Sequence, residues 1–232
     1  AMSAFLPASV YLNAGIGLLR EDDWESHREL CFDLHNLCAE VEYVLGQFDR
    51  VWSFLNKAIQ RGRTVQEKLR AYDTSIRAFG SQSKTEDMFG TAIMVLYHLG
   101  EPVPLVVTQI EVQRGLAETQ ALLSTKSEDE LLNLGTMIDD DKREAMRFFN
   151  LFSLCAYVEK PKYFPIIACR MLQLSLSYGV CRESAIAFAA YGLLLCGLTG
   201  DTAKAYRLGK IALSLQEKFN TTECLPPVLL AV

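Results

Sequence analysis

The feature that most constrains this chain is a hydrophobic stripe that stops and restarts. Leu30, Leu34, Leu37, Val41 and Val44 recur at helical spacing and end at Gly46, and a second amphipathic run follows from Asp49 to Gln60. Residues at i, i+4, i+7, i+11 and i+14 share one helical face, so the stripe has to be buried against another element. A connection of only a few residues forces the two helices to pack antiparallel. Sustained period-two alternation is nearly absent elsewhere, which leaves little from which to build a sheet. The predicted fold class is all-α.

The same periodicity predicts helices near 8–20, 24–45, 49–61, 65–80, 85–99, 104–124, 128–135, 141–158, 162–178, 183–198 and 202–219, about ten or eleven in all. Several starts carry their own marks. Thr64 with Glu67, Ser127 with Glu130 and Ser83 with Glu86 fit a capping box, and Asp141 with Glu144 is an acidic variant. Pro102, Pro104 and the region of Gly179 mark breaks.

The first hairpin turn has a counterpart near the other end, LTGDTAKAYRLGKIAL over 198–213. With Gly46 aligned on Gly200, Val51 falls on Ala205, Leu55 on Gly209, Ala58 on Ala212, and Ala39 on Leu193. Fainter copies align at Ser83 and Pro161, at steps of 37 to 39 residues. These spacings resemble the tetratricopeptide repeat, a hairpin of about 34 residues in which small residues let two helices approach. The resemblance implies an α-α superhelix of antiparallel hairpins filling 1–232 as one domain. Its repeat-like units fall near 28–61, 65–99, 141–178 and 183–219, with an irregular helical insert over 100–140. Ala39, Gly46, Ala58, Gly200, Ala205, Gly209 and Ala212 are the expected repeat-packing positions.

Composition narrows the function classes. A net charge of −5 opposes a nucleic-acid partner, which needs a basic stripe for the phosphates. Local basic clusters such as Arg61, Arg63, Lys68 and Arg70 read as a solvated helix face. Seven cysteines form no CxxC pair and mostly sit in apolar runs, a pattern expected of an intracellular, cytoplasmic, reducing compartment. The longest apolar run, Ala185 to Leu198, is too short to cross a bilayer, so no membrane partner is expected. Ala1-Met2 reads as a cloning remnant and LPPVLLAV as the start of another helix, so the chain is expected to be a fragment of a longer protein.

Several phrases resemble one particular setting for such repeats. They are YLNAGIGLL with DWESHRELCFDLH, AEVEYVLGQFDR, YFPIIACRMLQLSLSYG, and SAIAFAAYGLLLCGLTGDTAKAYRLGKIALSL. They look like the helical-repeat region of large signalling proteins in which a serine/threonine-kinase-like domain and an AAA-type ATPase precede the repeats and sensor and histidine-kinase domains follow. The resemblance covers most of the chain, more loosely from 100 to 150, and its motifs are packing motifs. No phosphate-binding GxxxxGK[ST] loop and no kinase HRD or DFG motif lies within the chain. The resemblance therefore implies a regulatory or scaffolding role, with the chemistry elsewhere in the parent protein.

Other constellations invite chemistry. His27, Cys31, His35 and Cys38 place zinc-type ligands on one helical face, but the set spans roughly 16 Å and cannot converge on one ion. Asp139, Asp140 and Asp141 resemble half of an aspartate-rich metal motif, without a partner triad downstream. A helix cap accounts for that run more simply. Trp24, Tyr43, Phe48 and Trp52 form an aromatic set suited to either a groove or a core.

The expected function is a non-catalytic protein-interaction or scaffolding module with no cofactor. Stacked hairpins would present a groove to a protein or peptide, to a neighbouring domain of the same chain, or to a second copy. Groove-lining residues should come from the first helix of each hairpin, such as Asn36, Glu40, Tyr43 and Tyr191. The alternative is an all-α enzyme or small-ligand receptor, with Asp139–Asp141 or the His/Cys face as the polar side of a pocket.

Overall fold

A computed structural model describes residues 4–220. It is all-α: α1 (Phe5–Leu18), α2 (Asp23–Ser26), α3 (Arg28–Val44), α4 (Phe48–Arg61), α5 (Val65–Ser81), α6 (Thr85–His98), α7 (Gln109–Ser124), α8 (Glu128–Leu132), α9 (Asp140–Glu159), α10 (Phe164–Tyr178), α11 (Ser184–Thr199) and α12 (Thr202–Phe219). A 3-10 turn, Pro161–Tyr163, leads into α10. Among the described residues the sole extended pairing is one bridge between Thr136 and Val180. None of these helices is long and apolar enough to cross a membrane.

Two compact units form, Ala1–His98 and Leu99–Val232, each holding two of the four expected hairpins. In the first, α3 packs on α4, α4 on α5, α5 on α6, and α3 also touches α5, while α1 lies on α3. This is the order expected of stacked hairpins. Val51, Leu55 and Ala58 on α4 are wholly buried at i, i+4 and i+7, against Trp24, Cys31, Phe32 and Ala39. Burying a side chain such as Leu55 stabilises the unit by about 2 kcal/mol. Tyr43, Phe48 and Trp52 pack at the margin of that core, so most of the aromatic set serves packing.

In the second unit α10 is central, touching α7, α9 and α11, and α12 covers α11 while reaching α8. Glu101, wholly buried, accepts from Lys142 Nζ at 2.6 Å and from Arg170 Nε at 2.5 Å. Two cations thus hold the connection before α7 to the neighbouring helices α9 and α10, at the one place where that irregular backbone carries a buried charge.

The aligned turn positions behave alike. Gly46 and Gly200 have φ of +72° and +68°, and Ser83, aligned with them, has φ of 56°. After α3 the Gln47 amide donates to the Glu42 carbonyl, and after α5 the Lys84 amide donates to the Phe79 carbonyl, the same left-handed closure of a helix end. Pro161 cannot adopt this conformation, and a 3-10 turn replaces it. Gly46 and Gly200 are exposed and face nothing within 4 Å, so they reverse the chain rather than admit a neighbouring helix. That corrects the packing role expected of both.

The other small positions do pack. Ala39, Ala58 and Ala212 are wholly buried, Gly209 is buried, and Ala205 is half-buried. Two helices also approach closely at Gly192, which is not among the expected packing positions: a Cβ there would lie 3.2 Å from the Ala205 carbonyl oxygen.

Several boundaries move for local reasons. Backbone at His27 (φ −132°, ψ 42°) splits the helix expected over 24–45 into α2 and α3. The Thr64–Glu67 and Ser127–Glu130 capping boxes form as expected. Ser83, expected to cap α6, is instead left-handed where an N-cap is extended, and α6 begins at Thr85. A further box, Thr108 with Glu111, starts α7 five residues after the expected position 104. Pro102 and Pro104 disfavour a helix before it.

Candidate functional site: a charged cleft between α3 and α5

Residues Glu29, Asp33, Asn36, Glu40 and Tyr43 occupy successive turns along one face of α3, the face turned toward α5. Between the helices lies a cleft of about 380 Å³, lined by Arg28, Glu29, Phe32, Asp33 and Asn36 of α3 and by Glu67 and Arg70 of α5. Each arginine forms a two-pronged pair across the helices. Arg28 donates through Nε and Nη2 to the Glu67 carboxylate at 2.7 and 2.9 Å. Arg70 donates to Glu40 at 2.7 and 2.9 Å, and its Nη1 reaches Asp33 at 3.1 Å.

The paired geometry fixes the arginine planes, and the Arg28 pair keeps Glu67 ionised. Glu67 illustrates the cause. The Arg28 hydrogen bond, helped by the Arg63 and Thr64 amides, holds its carboxyl at about 2, well below the usual 4.5. The same carboxylate completes the capping box of α5, so one residue both starts that helix and ties it to α3. Arg28 also donates to the Arg61 carbonyl at 2.6 Å and lies 5.0 Å over the Phe32 ring.

The floor of the cleft is mixed. Phe32 and Asn36 are both buried, and Trp24 meets Phe32 edge-on at 5.3 Å. No described protein group donates to Asn36 Oδ1. An acceptor of this kind left unpaired costs about 1–3 kcal/mol.

The expected groove residues separate on this geometry. Asn36 lines the cleft. Glu40 stands beside it and is committed to Arg70. Tyr43 is half-buried farther along α3, its hydroxyl 3.0 Å from Ser81 Oγ at the end of α5. Tyr191 is wholly buried in α11, which removes it from any solvent-facing groove; burial pushes its hydroxyl up to about 12. The reason is that α11 is apolar on every side from Ala185 to Leu195 and has no outward face there.

The sequence places Arg70 on a solvated helix face and Glu67 in a capping box and assigns Arg28 and Asp33 no role; the structure pairs all four. Arg61 and Arg63 are likewise paired, with Glu21 and Glu25 respectively. The available signal was complementary charge, Arg28 and Glu40 on α3 opposite Glu67 and Arg70 on α5.

The metal-like constellations have packing roles. Cys31 and Cys38 are buried, His35 Nδ1 lies 2.7 Å from the Cys31 carbonyl oxygen, and its ring lies 4.9 Å from that of Trp24. Burial lowers the His35 pKa, which keeps the ring neutral at pH 7. Asp139 caps α9 by accepting from the Lys142 amide at 3.0 Å, two residues earlier than the expected cap at Asp141. Asp140 pairs with Arg143. Among the described residues no group of three or more His, Cys, Asp or Glu side chains is placed to hold a metal ion.

No family model matches this chain, and neither a curated protein nor a solved structure matches it.

Proposed function

We propose that the chain is a non-catalytic protein-interaction module that takes a peptide segment in the α3–α5 cleft. The observation that carries this reading is a cleft of about 380 Å³, lined by Phe32 and Asn36 and walled by two arginine–carboxylate pairs. The polar walls suit the backbone of an extended peptide, and the Phe32 ring supplies an apolar anchor point. The paired charges act as walls whose geometry is already fixed, so little side-chain entropy is lost on binding.

The resemblance to repeat regions of large kinase-like, ATPase and histidine-kinase proteins supports a regulatory or scaffolding role within such a parent. The segment would come from a separate protein, a neighbouring domain or a second copy. An intracellular setting is supported by buried thiols that behave as small core residues.

Selection from a random peptide display library on the purified chain tests the reading. Enriched peptides should lose about tenfold or more in affinity on Asn36→Leu and on Arg70→Glu, with Lys218→Gln as an unaffected control. Peptides that ignore both cleft variants while the fold stays intact would sink it.

A further inference from the structure

A second cleft, in the other unit, carries a different chemistry. About 340 Å³ is enclosed by α7, α8, α11 and α12, a size within the range of small-molecule sites. Its floor is aliphatic: Leu131, Leu195, Leu208 and Ile211 are buried, and Leu123 is half-buried beside them. Its polar lining is mainly cationic. Lys126, Lys204 and Arg207 stand with a single lining acid, Glu128, on a chain whose net charge is −5.

The charges lie nearer solvent than the leucines. The Lys204 side chain is 56% exposed, Arg207 is exposed, and Lys126 is half-buried. Lys204 is drawn 3.0 Å from Asp201, the cap of α12. No hydrogen bond or close ion pair holds the side chain of Lys126 or Arg207 among the described residues, although Arg207 acts electrostatically on Asp201 and Lys126 on Glu130. On α12 the order Lys204, Arg207, Leu208, Ile211 follows i, i+3, i+4, i+7, so one helical stripe runs from charge down to the apolar floor.

We propose that this cleft binds a free fatty carboxylate, its acyl chain on the leucine floor and its carboxylate at Arg207 and Lys204. Charge complementarity selects an anion, and the buried aliphatic floor selects a chain rather than a small polar acid. An arginine that no hydrogen bond or close ion pair holds is suited to a two-pronged bond with a carboxylate. The depth order of the residues sets the orientation, with the tail inward and the headgroup at the mouth. The peptide cleft of the other unit plays no part, so either proposal stands if the other fails.

Decanoate, below its micelle concentration, is the probe, titrated into the full chain by calorimetry and by NMR of labelled ligand. The expected result is saturable binding of one molecule per chain, with decanol bound about tenfold more weakly. Lys204→Gln/Arg207→Gln should bring decanoate down to the decanol level while leaving decanol unchanged. Leu123→Gln, at the edge of the floor, should weaken both. Arg207→Gln alone provides the same comparison if the double variant loses helicity. Equal affinity for decanol, unsaturable partition, indifference to the cationic variants, or binding to anionic vesicles without binding of free decanoate would each overturn the proposal.

Discussion

A Cβ placed on Gly192 of α11 would lie 3.2 Å from the carbonyl oxygen of Ala205 on α12, so the two helices meet backbone to backbone at that point. A carbonyl inside a helix cannot swing aside as a flexible side chain can. Gly192→Val is expected to destabilise the protein by about 2–3 kcal/mol through overpacking. Gly197 lies in the same helix with nothing within 4 Å. Gly197→Ala is expected to stabilise by about 0.5–1 kcal/mol through helix propensity alone. Urea titration of both variants reads the contrast, and equal shifts would show that the close approach does not limit packing.

The left-handed turns give a prediction of opposite sign at aligned positions. Gly46→Ala is expected to cost about 1 kcal/mol, because φ of +72° strains an L residue although no neighbour crowds it. Ser83 already bears that strain at φ of 56°, so Ser83→Gly is expected to gain about 0.5 kcal/mol. Denaturation midpoints should move in opposite directions.

Glu67 links the cleft to acid stability. Its folded carboxyl titrates at about 2 against an ordinary 4.5, chiefly because of the Arg28 hydrogen bond. A depressed folded pKa contributes stability that is fully present above the ordinary value and is lost as pH falls toward the folded one. Melting temperature should therefore decline between pH 4.5 and 2 more steeply in the wild type than in Glu67→Gln. Parallel curves for the two proteins would remove Glu67 as a contributor.

Thiol reactivity should sort the described cysteines by environment. Burial pushes Cys181 up to about 12, and Cys38 and Cys169 to about 11, so almost no thiolate exists at these sites at pH 8. Cys196 is exposed. Iodoacetamide followed by mass spectrometry should find Cys196 modified first, with the other three protected until denaturant is added. Early labelling of Cys181 would contradict the packing around it.

What the sequence made legible follows the range of each interaction. The α3–α4 hairpin is readable because its glycine turn and the next helix are contiguous, but its stripe is not the buried face: Leu30, Leu37 and Val44 are exposed, and Cys31, Phe32, Cys38 and Ala39 are buried instead. Ser83 is readable through its alignment with Gly46, although its residue type gives no hint of a left-handed backbone. The cleft is not, because its pairs join residues 39 and 30 positions apart, Arg28 with Glu67 and Arg70 with Glu40. Periodicity describes a helix face and is silent on which face meets it. Tyr191 was misplaced for a different reason. Its neighbours from Ala185 to Leu195 include no charged residue, and a helix without a polar stripe has no groove side to offer.

That all-round burial of α11 bears on how the second unit opens. Amides from Ala185 to Leu195 lie between α10 and α12, so solvent reaches them only when those neighbours separate. Their hydrogen exchange should report the full unfolding free energy of the unit. By contrast α7 buries little beyond Thr119 and should exchange through smaller openings. The least polar helix thereby becomes the clock of the unit, the last segment to take up deuterium.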